Sequence, residues 1–182
     1  PLSELLTRLN IPLPESVLHF FYATNERFAV RYEPHNEFYT LTLYRLDQAS
    51  TENLHSYWQS LPGAFLSGVE VLFKGREEEK PDLKSTFGHR QVSGAQVMGG
   101  AARIWTDFYP REDNGFVRVV VHDISLKAFQ AGRLLQRLCE IETYRHTALL
   151  ALPIAHASMP RLTKMDKELA DITHDIAQDP DA

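Results

Sequence analysis

Ala101-Ala-Arg-Ile-Trp-Thr-Asp-Phe108 is the stretch that decides the fold of this chain, together with the long helix that follows it. The stretch is predicted to be a strand, and a second strand is predicted over residues 116–122. The helix is predicted over residues 125–152, with Ser125 as its N-cap. Pro153 is expected to break or kink this helix, because proline has no backbone amide donor.

Further short helices and strands are predicted in the part of the chain that precedes residue 101. Leu2, Leu5, Leu6 and Leu9 have the spacing of an amphipathic helix. Strand-like runs at residues 27–33 and 37–45 predict a hairpin; residues 51–61 predict a helix, 69–73 a strand and 74–90 a polar surface loop. Since strands come first and helices last, we predict an α+β fold with a mostly antiparallel sheet, packed by a long C-terminal helix.

A coiled-coil-like terminal helix is predicted beyond this domain. The sequence divides into an α+β domain over residues 1–157 and a helical extension over 158–182, capped by Ser158. Apolar residues recur in the extension at spacings of three and four residues, the pattern of a helix-pairing seam. The seam residues are Leu162, Met165, Leu169, Ile172 and Ile176. We expect self-association or docking of another segment here; packing on the protein's own sheet is the alternative.

Composition narrows the class of protein. Apolar residues make up 43% and charged residues 24% of the 182 residues, which is ordinary for a globular protein. The net charge of −5 disfavours a nucleic-acid partner, which usually requires a basic face. The single cysteine, Cys139, excludes an internal disulfide. The chain begins at Pro1 without a signal peptide, and we expect it to be a piece of a longer protein or a processed product.

Three sets of polar side chains are candidates for chemistry. They lie on the first hairpin, on one face of the strand at residues 101–108, and along one stripe of the long helix. The sets are Arg31, Glu33, His35 and Glu37; Arg103, Trp105 and Asp107; and Arg133, Arg137, Glu140 and Tyr144. They predict either an ionic network that fixes helix to sheet or a ligand site whose arginines grip a phosphate or carboxylate.

The sequence gives less support to a catalytic or metal-binding motif than to these three polar sets. Glu142 and His146 are four residues apart on a helix, and His35 lies near two glutamates, but neither set matches a known metal motif. Residues 94–100 lack the lysine of a phosphate loop, and the chain has no Gly-x-Ser-x-Gly elbow. We therefore predict no catalytic residue, no metal and no cofactor, and an enzyme is the least supported class.

Three segments resemble a known bacterial family. They are Arg31-Tyr-Glu-Pro-His-Asn-Glu-Phe38, Gly99-Gly-Ala-Ala-Arg-Ile-Trp-Thr-Asp-Phe108 and Ala131-Gly-Arg-Leu-Leu-Gln-Arg-Leu-Cys-Glu-Ile-Glu-Thr-Tyr-Arg145. The family is called domain of unknown function 3422, and its members are described as predicted membrane-anchored proteins. The resemblance covers nearly the whole chain and implies no activity or cofactor. It implies that the chain is the N-terminal part, followed in full-length members by more helices and an apolar C-terminal anchor.

The functional expectation follows from that resemblance. It is a non-enzymatic regulatory or assembly domain of a membrane-anchored bacterial protein, at the cytoplasmic face of the inner membrane. Its expected partners are the membrane, reached through a region outside this chain, and a second copy, reached through the terminal helix. The alternative is a ligand-sensing domain that binds a small anion or a metal at the polar face rich in Arg, Glu and His.

Overall fold

The computed structural model describes residues 2–13, 20–47, 54–58 and 61–178. Contacts between Cα atoms divide the chain into two compact units, Pro1–Ala64 and Phe65–Ala182. The architecture is α+β, as the sequence predicts, with one antiparallel and one mixed sheet. The predicted boundary after residue 157 lies inside a helix and stays a prediction.

The described residues of the first unit form a three-stranded antiparallel sheet and two short helices. Its elements are α1 (Leu2–Arg8), β1 (Phe21–Thr24), β2 (Phe28–Pro34), β3 (Tyr39–Arg45) and α2 (His55–Trp58). The β2–β3 hairpin is confirmed, and its turn is closed by the amide of His35, which donates to the carbonyl of Phe38 at 2.8 Å. Leucines of α1 pack with apolar residues of the strands and of α2 into one buried core.

The second unit contains a four-stranded sheet with the order β4-β7-β6-β5. Its elements before the last helix are β4 (Gly68–Lys74), α3 (Leu83–Phe87), β5 (Ser93–Val97), a 3₁₀ turn (Met98–Gly100), β6 (Ala102–Pro110) and β7 (Phe116–Asp123). The β5–β6 and β6–β7 pairs are antiparallel, whereas β4 and β7 are parallel. The segment expected to be a plain surface loop contains α3, whose Phe87 is buried.

The last element, α4 (Ala128–Gln178), is a single helix of 51 residues. At a rise of 1.5 Å per residue, it is roughly 75 Å long. The helix does not end at Pro153, because both Pro153 and Pro160 lie inside it. Of the predicted break or kink, the break is therefore wrong, and the kink stays a prediction. The predicted cap at Ser125 is also wrong: the helix begins at Ala128. In the preceding turn, the side chain of Asp123 accepts from the amide of Leu126 at 2.7 Å.

Only the first part of α4 packs on the sheet. Leu134 is buried with Val119 and Val121 of β7, and Leu138 packs at the edge of the same cluster. The apolar residues of this helix, among them Leu134, Leu138, Ile141 and Leu149, cover a wide arc, which predicts that both the sheet and other helices contact it. This prediction is wrong, because Ile141 and Leu149 are exposed, as is every residue from 147 to 178. Within residues 2–13, 20–47, 54–58 and 61–178, no helix is both long and apolar enough to cross a membrane.

Candidate functional site

One irregular site in the second unit lies where β6 loses its regular pairing with β7. The register shifts between Thr106 and Pro110, and Phe108 has a positive φ of 58°. Two short side-chain contacts hold this bend. Thr106 Oγ1 accepts from the amide of Phe108 at 3.1 Å, and Asp107 Oδ1 accepts from the amide of Tyr109 at 3.2 Å. The bend fixes the Asp107 carboxylate inside the protein, with a side-chain exposure of 0%.

Two arginines approach this buried carboxylate from different segments. Arg90 Nη1 and Arg111 Nη2 each lie 3.6 Å from Asp107 Oδ2. We call Arg90, Asp107 and Arg111 the Asp107 cluster. Both distances exceed the 2.7–2.9 Å that is typical of a charge-assisted hydrogen bond. The carboxylate therefore attracts both guanidinium groups electrostatically without forming a hydrogen bond to either.

Aromatic rings hold the two guanidinium groups in place. Arg90 lies over the ring of Tyr109 at 5.6 Å, and Arg111 over the ring of Phe87 at 5.5 Å. Such cation–π contacts fix the position of a guanidinium without using its N–H donors. Because Phe87 comes from α3, this short helix helps to place Arg111 beside Asp107.

The sequence predicts Asp107 in a polar set but does not predict its partners Arg90 and Arg111. Arg111 is four residues from Asp107, a separation that could have been noticed, whereas Arg90 lies in the segment expected to be a loop. Of the predicted companions, Arg103 is exposed and forms no ion pair with any residue that the structure describes. The Trp105 ring lies against Gly94 of β5, so that a Cβ at Gly94 would be 2.7 Å from Trp105 Cδ1.

In the hairpin set of the first unit, Arg31 and Glu33 form a half-buried ion pair, and His35 and Glu37 lie outside that pair. Arg31 Nη2 lies 2.6 Å from Glu33 Oε1. Desolvation lowers the pKa of Arg31, but the hydrogen bond and charge of Glu33, with a contribution from Tyr44, raise that pKa overall. His35 Nε2 is 3.0 Å from the hydroxyl of Thr40, and Glu37 is exposed. This set lies in a different unit from the other two, so a shared network stays a prediction.

The predicted stripe on α4 is an exposed row. Arg133, Arg137, Glu140 and Tyr144 are all exposed, and Glu140 accepts from Gln136 Nε2 at 2.8 Å. Arg133, Gln136, Arg137 and Glu140 line an open groove of about 210 Å³. All four lining residues come from one helix, so the groove has no opposite wall among them.

In contrast to the exposed row, Glu142 of α4 is a buried charged residue. Arg145 Nη2 lies 2.6 Å from Glu142 Oε1, and His146 Nδ1 lies 3.0 Å from the same oxygen. The hydrogen bond that Arg145 donates to the Glu142 carboxylate raises the pKa of Arg145 more than desolvation lowers it. Among the described residues, no group of three or more His, Cys, Asp or Glu side chains could hold a metal ion.

The seam predicted in the terminal helix is uncovered. Its five apolar side chains are exposed by 52–64% in the last part of α4. The alternative prediction is that these side chains pack on the protein's own sheet. No described residue covers them in this way. The described residues thus contain three features of interest: the largely buried Asp107 cluster, the exposed arginine row and the exposed seam.

Comparison with known proteins identifies the family. The chain matches, over residues 1–182, the model of a family described as protein of unknown function (DUF3422). No curated protein and no solved structure matches the chain. The family resemblance of the three quoted segments is therefore confirmed over the whole sequence.

Proposed function

Since the chain belongs to the DUF3422 family of proteins of unknown function, we propose that it is a non-enzymatic assembly domain. In this proposal the seam of α4 pairs in parallel with the same helix of a second copy. The observation that carries it is the exposure of residues 147–178, which include the whole seam. An isolated helix in water is marginal, and helices in proteins are stabilised by covering their apolar face.

The spacing of the seam supports helix pairing. Leu162, Met165, Leu169, Ile172 and Ile176 alternate between separations of three and four residues, as in the interface of a coiled coil. All five lie on one side of the helix and within one continuous stretch. Burial of each such side chain would contribute roughly 1.5–3 kcal/mol before the entropy of association is subtracted.

The residues beside the seam favour a second copy in parallel register. In such a pair, Arg161 of each chain faces Asp166 of the other, and Glu168 faces the neutral Thr173. Ile154 faces Met159 and extends the apolar contact. None of these three pairings opposes like charges, so a parallel pair of identical helices contains two attractive contacts and no repulsive contact at these positions.

The proposal is tested by the molar mass of residues 1–182 in solution, measured by light scattering after size exclusion. We expect a concentration-dependent dimer, and we expect Leu169→Asp to convert it to a monomer. Ala170→Asp is the matched control, because it introduces the same charge on the neighbouring, non-seam position and should leave the dimer intact. A wild-type protein that is monomeric at high concentration would contradict the proposal.

Charge reversal tests the parallel register. Arg161→Glu alone and Asp166→Arg alone should each weaken the dimer, since each creates two like-charge contacts. The double variant exchanges the two charges and should restore the dimer. Failure of the double variant to recover would exclude this register, and an antiparallel pair or a different partner segment would then explain any remaining association.

The finer features implied by the family are proposed with it. We place the domain at the cytoplasmic face of the bacterial inner membrane, attached through a region outside residues 1–182 and acting there in regulation or assembly. A second candidate function is the sensing of a small anion, and the observation that favours it is the exposed pair Arg133 and Arg137 along one groove. Replacing both with glutamine should abolish anion-dependent changes in dimerisation if that function holds.

A further inference from the structure

We propose that two of the parallel pairs described above combine into a bundle of four helices, joined through residues 147–160 of α4. We call residues 147–160 the uncharged belt, because they contain no Asp, Glu, Lys or Arg. This inference rests on the proposed pairing through the seam, and it adds a second contact surface and the number of copies in the assembly.

The first argument is the position of the large apolar side chains of the belt. At about 100° per residue, Leu150 and Ile154 fall on one flank of the line that continues the seam. Leu149, Leu152 and Met159 fall on the other flank, and all five are exposed by 45–72%. A helix that is apolar around most of its circumference is normally enclosed on more than one side. A single partner helix covers one side, so a pair leaves part of this apolar surface in water.

The second argument is the contrast between the flanks of the seam and the flanks of the belt. Beside the seam, Arg161 and Asp166 are charged, which suits the edge of a two-helix contact that remains in water. Seven residues earlier, on the same sides of the helix, the flanks contain Ile154 and Met159. Apolar residues on a flank as well as along the contact line are typical of helices that face the core of a bundle. The belt therefore has the pattern of a bundle helix, whereas the seam flanks have the pattern of a pair.

The third argument is the identity of the residues in the middle of the seam. In the seven-residue repeat of a coiled coil, the spacing places Leu169 at position a and Ile172 at position d. In parallel coiled coils, leucine at a with isoleucine at d favours more than two strands, whereas a β-branched residue at a with leucine at d favours two. The seam therefore accepts a pair but is better suited to a larger number of identical helices.

The line of the seam continues through the belt as small side chains in steps of three and four residues. They are Ala148, Ala151, Ala155 and Ser158. Helices with small side chains at their contact approach closely, which brings the flanks of neighbouring helices together. In a parallel bundle of four, the flank with Ile154 meets the flank with Met159 of the next helix at the same height, and these contacts close into a ring. Further copies of this chain are therefore the partners that the belt fits.

The first test is the molar mass of residues 1–182 over a wide range of concentrations, measured by sedimentation equilibrium. We expect the mass to rise from that of two copies to that of four. A mass that stops at two copies would overturn this inference and leave the proposed pair intact, whereas a monomer at all concentrations would overturn the pair as well. If the protein stops at two copies and co-sediments with phosphatidylglycerol vesicles, a lipid surface covers the belt and the inference is wrong.

Single substitutions assign the second contact to the belt. Leu149→Asp and Leu150→Asp place a charge on opposite flanks, and each should weaken the step from two copies to four by about tenfold or more, because a charge buried without a partner is costly. Ala170→Asp is the matched control: it lies three seven-residue repeats after Leu149, so it introduces the same charge on the same side of the helix beyond the belt. We expect it to leave this step unchanged. Equal effects of all three variants would overturn the assignment to the belt.

An exchange of two seam residues tests the number of helices without changing composition. The double variant Leu169→Ile with Ile172→Leu places the β-branched residue at position a and leucine at position d, the arrangement that favours two strands. We expect the pair to persist and the step to four copies to weaken by about tenfold or more. A double variant that forms four copies as readily as the wild type would contradict the contribution of the seam to the bundle.

Discussion

The two parts of α4 share one helical backbone but have opposite surroundings. Residues 128–146 contain every buried or half-buried residue of the helix, among them Leu134 and Glu142, and contact the sheet. Residues 147–178 are exposed throughout and contain both prolines of the helix. Within one helix, therefore, the first part is stabilised by tertiary packing and the second contains the features that make a helix weaker alone. The difference teaches that one continuous helix can pack on the sheet in its first part and remain uncovered by any described residue in its second, and this exposure is what supports the proposed helix pairing.

Truncation of a leucine to alanine should give the largest difference in the free energy of unfolding between the two parts of α4. Leu134→Ala should lower the free energy of unfolding by about 2–5 kcal/mol, because it leaves a cavity between α4 and β7. Leu162→Ala, made at low protein concentration, should change it by less than about 0.5 kcal/mol, since Leu162 is half exposed. Denaturant titration measures both values. Similar losses for the two variants would show that the second part is packed after all.

Removing a proline should act on the second part alone. Pro160→Ala restores a backbone donor and should stabilise the local helix by up to about 3 kcal/mol, seen as slower amide hydrogen exchange in residues 147–178. Ser158→Ala is the control, because its change in helix propensity is small and its hydroxyl donates to the carbonyl of Ile154 within the same helix. The exchange of residues 128–146 should not change in either variant. Faster or unchanged exchange after Pro160→Ala would contradict the assignment of this segment to a continuous helix.

Loss of an ion pair should show the smallest difference in the free energy of unfolding between the two parts of α4. Glu142→Gln removes the buried partner of Arg145 and His146 and should cost about 1–3 kcal/mol in the free energy of unfolding. Glu168→Gln breaks an exposed contact, in which Lys164 Nζ lies 3.6 Å from Glu168 Oε1, and should cost less than about 0.5 kcal/mol. Thermal or denaturant melts compare the two. Should Glu142→Gln prove as silent as Glu168→Gln, the difference between the two parts would be limited to apolar packing.

Local patterns in the sequence predicted much of the fold. The leucine spacing of α1, the β2–β3 hairpin and the strands β6 and β7 follow from periodicity and turn residues, which act over a few neighbours. The parallel pairing of β4 with β7 joins distant segments, and no local pattern specifies it. The helix continues through Pro153 because a helix already formed on both sides can accommodate the loss of one hydrogen bond.

The candidate site was predictable only in part for the same reason. Asp107 was identified because it lies in a strand that also carries Arg103 and Trp105. Regular alternation predicts all three on one face. Arg103 lies in the regularly paired part of β6 and is exposed, whereas Asp107 follows Thr106, where the register shifts, and is buried. Arg90 reaches Asp107 through the tertiary fold, from a segment whose polar composition resembles a loop. Neither an irregular bend in a strand nor an ion pair between distant segments produces a periodic pattern of residues, so the sequence does not predict them.

The two prolines of α4 also determine how the helix can bend. Pro153 and Pro160 are seven residues apart, so they lie on nearly the same side of the helix, two turns from each other. This side is opposite the line of Leu162 and Leu169. A proline ring pushes against the carbonyl four residues before it, which opens the helix on the proline side. Both prolines thus favour bending in the same direction, and a bend of α4 is expected to be concave along the leucines and convex along the prolines.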